Sequence, residues 1–542
     1  DVERSRGLGD VYKRQGIKDI QHVCFYEKPF LKFERILYNS LAVAPRGHTV
    51  FLDAMLTWLG DKMWIDDKIK KELGFGGKVQ YCEHHESHAA STFLTSPYKE
   101  AAVLTVDGAG EWATATIGEG KDKRVRILKE IRYPNSLGLL YTAFTYYLGF
   151  RVNSGEYKLM GLAPYGEPTY YHAIVDNLID IEEDGAFKLN TDYFGYLDTL
   201  RMTNKKFHDL FGGEPRKPSE KIEKRHKDIA RSIQMVTEEI MLKLANTAHD
   251  MTGQKNLVLA GGVALNCVAN GRILREGPFE NLYIQPASGD AGGAVGAASL
   301  VHYSLLNNAR QPLQKPLMKD AYLGPAYSDE EIEGMLQKNE ADYEKLERKE
   351  LFKRAAKLIS QKKVVGWFQG RMEFGPRALG SRSILADPRY AEMRDTVNLK
   401  IKFRESFRPF APTVLEEDVS EWFELDRPSP YMLLVAQTRP EKRKLLPAIT
   451  HVDGSARIQT VSKAQNALFH GLIKEFKRIT KVPVVINTSF NVRGEPIVCT
   501  PQNAYDCFTH TYMDYLAIGD YLVSKKEMPA DFEKWRGKFE PD

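Results

Sequence analysis

Two hydrophobic periodicities alternate along this chain, one typical of buried strands and the other of one-sided helices. The apolar run 101–106 ends in the turn pair Asp107-Gly108, and the run 112–117 predicts the returning strand of a hairpin. A helix with one face on a core is predicted where apolar residues recur three or four positions apart, at Ile229, Ile233, Val236, Ile240 and Leu244.

Glycine-rich turns follow two further strand-like runs. The apolar run 257–260 leads into Gly261-Gly262, and Tyr283-Ile284 leads into the loop 288–293. Helices, strands and glycine-rich turns in this order predict an α/β fold with ligands bound at the strand ends.

The length of the chain predicts more than one domain, because 542 residues exceed one ordinary core. Between 327 and 350 the sequence becomes acidic and helix-like, with Ser328 as a predicted N-cap. We expect the domain junction there, near residue 345. The predicted domains are therefore 16–345 and 346–542.

Composition excludes several classes of function. Apolar residues make up 43% and charged residues 27%, and no run approaches the roughly 18 apolar residues of a membrane span. Lys+Arg 76 against Asp+Glu 72 gives a net charge of +4, too balanced for non-specific nucleic-acid binding. Five cysteines without a C-x-x-C pair, and no visible signal peptide, predict a cytoplasmic protein. We therefore expect neither a nucleic-acid partner nor a membrane, and a homodimer stays open.

The sharpest local feature is the run E-H-H-E-S-H at 83–88. His84 and His88 stand four apart, so on a helix they share one face and can hold one metal ion. Asp107 and Asp290, each beside a glycine-rich turn, can supply two carboxylates. Two imidazoles and two carboxylates suit iron, manganese or zinc. His85 is an alternative to His84 at i, i+3 spacing, and a chance H-x-x-x-H pair on a polar helix face is the other explanation.

The glycine-rich turns are candidates for a nucleotide site. Glycine lets backbone amides approach a phosphate closely, and a following helix N-terminus favours negative charge. The candidate residues are Gly261, Gly262, Asn266 and Gly289, together with Lys158, which lies between Gly155 and Gly161. Ordinary tight turns and a surface lysine are the alternatives for each feature taken singly.

Arginines among aromatic residues and prolines mark the second half of the chain, in the runs 371–382 and 400–412. The aromatic residues are expected to be buried and the guanidinium groups to lie at the lip of an anion pocket, where each charge-assisted bond is worth roughly 1.5–3 kcal/mol. Arg457 and the run N-T-S-F-N at 487–491 are further candidates. Structural arginine–carboxylate pairs are the alternative.

These segments together resemble the nodulation and antibiotic O-carbamoyltransferases, in the family's order and over about 16–525. The N-terminal motifs are H-H-E-S-H-A-A-S, V-D-G-A-G-E-W, K-L-M-G-L-A-P-Y-G, G-G-V-A-L-N-C and S-G-D-A-G-G-A. The C-terminal motifs are E-F-G-P-R-A-L-G-S-R-S-I, F-R-E-S-F-R-P-F-A-P and N-T-S-F-N-V-R-G-E-P-I.

The resemblance implies an N-terminal actin-like ATPase domain, similar to the tRNA threonylcarbamoyl-transferring enzymes, and a C-terminal YrdC-like domain. It implies that the C-terminal domain makes carbamoyl-adenylate from carbamoyl phosphate and ATP. The N-terminal domain is then expected to pass the carbamoyl group to a hydroxyl of a small-molecule or glycan acceptor. A tRNA-modifying transferase of the same fold and a non-catalytic nucleotide-binding protein are the alternatives.

The resemblance also implies roles for individual residues. His84, His88, Asp107 and Asp290 correspond to metal ligands, with iron the metal that the family implies. Gly261, Gly262 and Asn266 correspond to part of a nucleotide site. The carbamoyl-phosphate clamp corresponds to Lys402, Arg408 and Arg457, with Asn487 near it.

The start of the chain departs from the family. Residues 1–15 lack an initiator Met and an apolar period, and are expected to be a foreign or artefactual segment. The H-D-S-A-A-A strand and the E-E-R-F motif with which family members usually begin are not present. The first strands of the N-terminal lobe are therefore expected to be missing.

Overall fold

The computed structural model describes residues 16–310, 320–525, 527 and 529–539, so the segment 1–15 lies outside the described residues. These residues form two compact units. The first contains 16–156 and 167–310, and the second contains 157–166 and the described residues from 320 onward. The α/β class predicted from the sequence is confirmed in both.

The predicted junction near residue 345 lies inside the second unit. The helix Asp329–Lys338 and the strand Asp342–Lys345 precede that position, and this strand pairs with Tyr521–Ser524 near the end of the described chain. A strand joined to a sheet by backbone hydrogen bonds belongs with that sheet. Ser328 caps the helix as predicted: its hydroxyl accepts from the amide of Glu331 at 3.3 Å.

Nine strands are described in the first unit, and five of them form its main sheet in the order β5-β4-β3-β8-β9. In that sheet β3, β4 and β5 are antiparallel neighbours, whereas β3, β8 and β9 run parallel. The predicted hairpin is β3 with β4. The strands are β1 Val23–Phe25, β2 Val79–Tyr81, β3 Glu100–Val106, β4 Ala113–Lys121, β5 Arg124–Arg132, β6 Ile179–Ile181, β7 Phe187–Leu189, β8 Asn256–Ala260 and β9 Asn281–Ile284.

Helices cover this sheet, and the longest, Lys224–Thr252, packs against β3 and β4. Its predicted apolar face is buried, with Ile229, Ile233 and Ile240 fully inaccessible. The other described helices of the unit are Pro29–Val43, His48–Gly60, Ile65–Leu73, His84–Phe93, Leu137–Tyr147, Tyr171–Asn177, Lys205–Leu210, Cys267–Glu276 and Gly293–Ser299.

The second unit is built on one mixed sheet with the strand order β10-β18-β17-β11-β12-β16-β13-β15-β14 within the described residues. Its inner strands are mostly buried on both faces, as expected of a sheet covered by helices, and they also carry buried polar residues such as Arg382, Gln459 and Asn487. The strands are β10 Asp342–Lys345, β11 Val365–Phe368, β12 Arg382–Ala386, β13 Ala411–Leu415, β14 Leu434–Gln437, β15 Ser455–Val461, β16 Val484–Ser489, β17 Tyr515–Ile518 and β18 Tyr521–Ser524.

The helices of the second unit are mostly short. They are Asp329–Lys338, Arg348–Ser360, Glu392–Asp395, Val419–Trp422, Pro440–Arg443, Ala467–Thr480, Pro501–Thr509 and Phe532–Arg536. The helix Glu156–Leu162 belongs to this unit from Tyr157 onward. In the part of the chain that the structure describes, no helix is both long enough and apolar enough to cross a bilayer.

Candidate metal centre and anion site

Four side chains of the first unit converge on one point. His84 and His88 lie one turn apart on the helix His84–Phe93, and their Nε2 atoms are 3.0 Å apart. Asp107 follows β3, and its Oδ2 lies 2.9 Å from His84 Nε2 and 3.3 Å from His88 Nε2. Asp290 Oδ1 is 3.6 Å from each imidazole. The structure therefore brings together the four residues that the sequence singled out for a metal.

The donor set fits a divalent metal ion. One ligand atom from each of the four residues lies within 4.8 Å of all the others. Two ligands about 2.1 Å from a metal and at right angles to each other are about 3.0 Å apart, which matches the separations of the three buried donors. The Nδ1 atoms of His84 and His88 are buried and have no hydrogen-bond partner in the described residues, so each ring contacts the cluster through Nε2 alone.

Electrostatics separates His88 from its neighbour His85. Burial would lower the pKa of His88, but hydrogen bonds with Asp107 and Asp290 outweigh it and raise the pKa to about 9. His85 instead points Nδ1 at the Thr105 hydroxyl, 2.7 Å away, and burial with the neighbouring His88 lowers its pKa to about 3. The structure thus decides between the two histidine pairs considered from the sequence, and His85 lies outside the cluster.

Backbone amides hold the carboxylates of the site. Asp107 Oδ1 accepts from the amide of Gly262 at 2.9 Å, which leaves Oδ2 directed at the imidazoles. Glu111, which is 5% exposed, accepts from the amides of His84 and Lys28 at 3.0 and 2.7 Å. A carboxylate at the first turn of a helix is favourably placed, because the amides there have no partner within the helix. Glu111 was missed from the sequence, since its motif gave no signal that it reaches the preceding helix.

The predicted nucleotide turns also lie in the first unit. Gly261 has φ +94°, and a Cβ there would be 2.2 Å from the carbonyl oxygen of Val106, so only glycine fits. Asn266 caps the helix Cys267–Glu276 by accepting from the amide of Ala269, and pairs with Gln234 through its side-chain amide. Gly289 begins the short turn that carries Asp290. Gly262, whose amide donates to Asp107, and Gly289, which precedes Asp290, therefore support two of the candidate metal ligands directly.

Lys158 does not belong to the same unit as those turns. It belongs to the segment 157–166 of the second unit, and it is 1% exposed. Its positive charge acts on Glu405 and helps to lower the pKa of that carboxyl. The alternative of a plain surface lysine does not hold, because the side chain is buried beside charged residues of the second unit.

Arg408 is the centre of a cation cluster in the second unit. Its Nη2 lies 2.6 Å from Glu405 Oε2, and its Nη1 donates to the hydroxyl of Tyr157 at 3.3 Å. Arg493 Nη2 lies 3.8 Å from the other carboxylate oxygen of Glu405. Residues 405–408 form a turn in which the amide of Arg408 donates to the carbonyl oxygen of Glu405 at 3.4 Å, and this turn brings the two side chains together.

Two further arginines lie in range of this cluster. Burial, followed by the charge of Arg408, lowers the pKa of Arg404 to about 9, and Arg457 adds to that effect. The Nε atoms of Arg408 and Arg457 are buried without a hydrogen-bond partner in the described residues. Buried guanidinium donors without acceptors are costly unless an anion binds. The geometry therefore favours an anion site at these arginines.

Lys402 and Asn487 are placed differently from Arg408. The ammonium group of Lys402 donates to the carbonyl oxygens of Ser489 and Asn491 at 2.7 and 2.8 Å, so it holds the 489–491 loop. Burial, followed by the charge of Arg404, lowers its pKa well below the usual range.

Asn487 is nearly inaccessible, and its side-chain NH₂ donates to Thr413 and Gln459, whereas its Oδ1 has no hydrogen-bond partner in the described residues.

The arginines of the run 371–382 do not all lie at the lip of a pocket, and for Arg382 that prediction is wrong. Arg382 is fully buried, with its guanidinium 3.6 Å from the ring centre of Phe368 and bonded to backbone carbonyls that include those of Gln369 and Gly370. Arg371 donates to the carbonyl oxygens of Leu323 and Gly324. Buried carbonyls need donors, and Arg382 supplies them.

Comparison with known families decides the assignment. Residues 10–299 match the family model described as Carbamoyltransferase N-terminus, and residues 356–525 match the model described as Carbamoyltransferase C-terminus. The chain belongs to the carbamoyltransferase family.

Relatives of this carbamoyltransferase span nearly the whole chain. The uncharacterized protein sll1178 of Synechocystis sp. is 52% identical over 97% of this chain and 91% of its own length. Nodulation protein NolNO of Sinorhizobium fredii is 37% identical over 96% of this chain and 73% of its own. Nodulation protein NolO of Bradyrhizobium diazoefficiens is 38% identical over 83% of this chain and 80% of its own. The chain is an enzyme of this class.

Among solved structures, full-length HypF in the phosphate- and nucleotide-bound form is 13% identical to this carbamoyltransferase. The match covers 46% of this chain and 50% of that one, with a TM-score of 0.28. Superposition at this level does not establish a shared fold.

Proposed function

We propose that this carbamoyltransferase activates a carbamoyl group in its second unit and transfers it in its first. Water attacks carbamoyl phosphate, inorganic phosphate leaves, and carbamate forms. An oxygen of this carbamate then attacks the α-phosphorus of ATP. Pyrophosphate leaves, and carbamoyl-adenylate remains. A hydroxyl of the acceptor then attacks the carbamoyl carbon, AMP leaves, and the hydroxyl proton goes to a base or to water.

The observation that carries this proposal is the cation cluster around Arg408. Carbamoyl phosphate and ATP are both multiply charged anions, and planar guanidinium groups match phosphate oxygens in pairs. The charges of Arg408 and Arg457 both act on Arg404 there, and Arg408 and Arg457 each have a buried Nε without a hydrogen-bond partner in the described residues. Bonds from these donors to a phosphate, each worth roughly 1.5–3 kcal/mol, would offset the cost of burying them.

Lys402 and Asn487 support this proposal in a less direct way. Lys402 fixes the loop 489–491, from which Arg493 continues, and the amide of Arg493 donates to the carbonyl oxygen of Lys402 at 3.2 Å. We therefore assign Lys402 a positioning role beside the anion site. Asn487 offers an acceptor oxygen, which suits the NH₂ of a carbamoyl group.

The first unit supplies the transfer site in this proposal. His84, His88, Asp107 and Asp290 would hold a divalent ion, which supplies Lewis-acid polarisation of an oxygen when bound. Asp290 is the most accessible of the four, with a side chain that is 63% exposed, whereas the two histidines are buried. The site therefore opens on the side of Asp290, where an acceptor hydroxyl can approach. Iron is the metal we propose, with manganese and zinc the alternatives that the donor set allows.

The resemblance of the motifs supports two finer assignments, which we also propose. The first unit has the actin-like ATPase fold and binds a nucleotide at the turns of Gly261-Gly262 and Gly289, and the second has the YrdC-like fold. The acceptor is a small molecule or glycan, because the net charge of +4 gives no electrostatic support for a tRNA substrate.

The division of labour can be tested with two variants. Arg408→Ala removes a guanidinium from the anion site and is expected to lower pyrophosphate release from ATP and carbamoyl phosphate by more than about a hundredfold, since two charge-assisted bonds are lost. His84→Ala is expected to leave pyrophosphate release within about twofold of wild type and to abolish carbamoylation of a panel of sugar, polyol and glycan hydroxyls.

Arg478→Ala is the matched control, because Arg478 is an exposed arginine of the second unit in an i, i+3 pair with Glu475. It is expected to keep both steps. Equal loss of both steps in Arg408→Ala and His84→Ala would contradict the assignment of the two steps to separate sites.

A further inference from the structure

A carboxylate lies inside the arginine cluster of the second unit. Glu405 places one oxygen 2.6 Å from Arg408 Nη2 and the other 3.8 Å from Arg493 Nη2. Burial would raise the pKa of Glu405, but Arg408, Arg493 and Lys158 outweigh it and hold this pKa below its usual range. Glu405 is therefore ionised at neutral pH and offers two oxygens to the guanidinium groups that a phosphate would need.

Arg408 does not depend on Glu405 alone for its position. Its Nη1 donates to the hydroxyl of Tyr157 at 3.3 Å, and its guanidinium carbon lies 5.7 Å from the centre of the Tyr157 ring. The side chain of Arg408 is 4% exposed, whereas that of Glu405 is 31% exposed. The guanidinium is thus fixed by burial and by Tyr157, while the carboxylate has room to turn toward solvent.

We infer that Glu405 is an internal counter-anion, which occupies the position of a phosphate group between Arg408 and Arg493 and is displaced when that phosphate binds. This inference rests on the proposed function. A phosphate dianion gains more from two guanidinium groups than a carboxylate does, so it displaces Glu405. A monoanion such as bicarbonate gains no more than Glu405 itself and stays excluded. Glu405 is in this account a specificity-determining residue that selects carbamoyl phosphate over single-charged anions.

The test is titration calorimetry of the full chain with inorganic phosphate and, separately, with bicarbonate. The phosphate binding that disappears in Arg408→Ala is assigned to this site. Glu405→Gln removes a negative charge next to the bound dianion while keeping the shape of the side chain, so its Kd for phosphate is expected to fall at least about tenfold. Bicarbonate binding is expected to become measurable. Weaker or unchanged phosphate binding in Glu405→Gln would overturn the inference, because it is what a purely structural ion pair predicts.

Glu475→Gln is the matched control. Glu475 also pairs with an arginine three residues later, with 2.8 Å between Arg478 Nε and Glu475 Oε2. The substitution makes the same change in charge on another part of the chain, and it is expected to leave the Kd for phosphate within about twofold of wild type, since distant surface charges are screened.

A second variant decides the question if Glu405→Gln does not fold, as judged by circular dichroism. Glu405→Asp keeps the charge but withdraws the carboxylate by one methylene, so tighter phosphate binding than wild type supports the inference and equal or weaker binding contradicts it. If the wild-type protein releases pyrophosphate but neither variant binds phosphate more tightly than wild type, the inference about Glu405 is wrong and the proposed function still stands. If the wild-type protein neither binds phosphate nor releases pyrophosphate, the proposed function is wrong as well.

Discussion

At the scale of single residues, environment separates side chains of the same type. The run H-H-E-S-H predicts a metal pair, but the sequence left His84 and His85 as alternatives for one position. The structure distinguishes them through Thr105, which holds His85 Nδ1, and Asp107, which faces His84 Nε2. Thr105 lies on strand β3 and Asp107 follows that strand, both about twenty positions further along the chain, so helical spacing alone could not decide between the two histidines.

Metal content tests this distinction. His88→Ala removes one buried donor atom and leaves the other three. We therefore expect the affinity of the protein for the metal to fall at least about tenfold. His85→Asn is the matched change, because the Asn side chain retains a polar group near the position of Nδ1. It is expected to keep one metal per chain by elemental analysis. Loss of metal in His85→Asn but not in His88→Ala would show that the cluster is assigned to the wrong histidines.

Glu495 predicts a pH dependence of stability. Burial raises the pKa of Glu495 to about 7, although the amide of Val492 and the nearby Lys402 act in the opposite direction. A carboxyl whose pKa is raised on folding stabilises the protein fully below its unfolded pKa, near 4.5. That stabilisation is lost as the pH rises through about 7.

The free energy of unfolding of wild type should therefore fall relative to that of Glu495→Gln between pH 4.5 and 7. The slope of this difference should be at most about 1.4 kcal/mol per pH unit, the value for one proton. Urea unfolding of both proteins at pH 5, 6 and 7 measures it. A constant difference across that range would mean that Glu495 is ionised throughout.

At the scale of elements, the strands and helices with strong periodicity followed from the sequence. The hairpin β3–β4, the strands β8 and β9 and the helix Lys224–Thr252 lie where their patterns predicted. The strand β10 was not predicted, because Asp342–Lys345 is polar and largely exposed at the edge of its sheet. Edge strands need no apolar alternation, and their pairing is decided by a partner far along the chain.

The turn at Gly261 links an element to the candidate metal site. Gly261→Ala would place a Cβ 2.2 Å from the carbonyl oxygen of Val106 and would strain a backbone at φ +94°. We expect it to lower the free energy of unfolding by more than about 3 kcal/mol and to weaken metal binding, because the next amide holds Asp107.

Gly253→Ala is the control for left-handed strain alone. Gly253 has φ +63° and open space around its Cβ position, so the expected cost is only about 1 kcal/mol and metal binding is unchanged. Chemical denaturation and metal titration of the two variants measure the difference. Equal destabilisation would mean that the contact with Val106 relaxes.

At the scale of the whole molecule, the sequence predicted two domains, 16–345 and 346–542, whereas the two compact units of the structure divide the chain differently. The segment 157–166 belongs to the second unit although both its flanks belong to the first, and residues 320–345 belong there too. The sequence grouped Lys158 with the glycine-rich turns of the first unit as a nucleotide-site candidate, whereas the structure assigns Lys158 to the second unit. Residues that come together from distant positions, such as Tyr157 and Arg408, carry no joint signal in one sequence.

Removal of the metal should separate the two proposed steps. Protein treated with a chelator and resupplied with Mg²⁺ alone, for ATP, is expected to release pyrophosphate at a rate within about twofold of untreated protein. It should not carbamoylate any acceptor that the metal-loaded protein uses, because Mg²⁺ prefers oxygen ligands and is a poor replacement for the removed ion between His84 and His88. Loss of pyrophosphate release in parallel with metal would place the ion in the activation step.

The most direct measurement of the central claim is mass spectrometry of wild-type protein with ATP labelled at the α-phosphate, carbamoyl phosphate and no hydroxyl acceptor. The anion site around Arg408 predicts carbamoyl-adenylate carrying the label, with one pyrophosphate for each, and neither product in Arg408→Ala. Active wild-type protein that carbamoylates an acceptor without consuming ATP, or that cleaves ATP to ADP, would contradict activation through an adenylate.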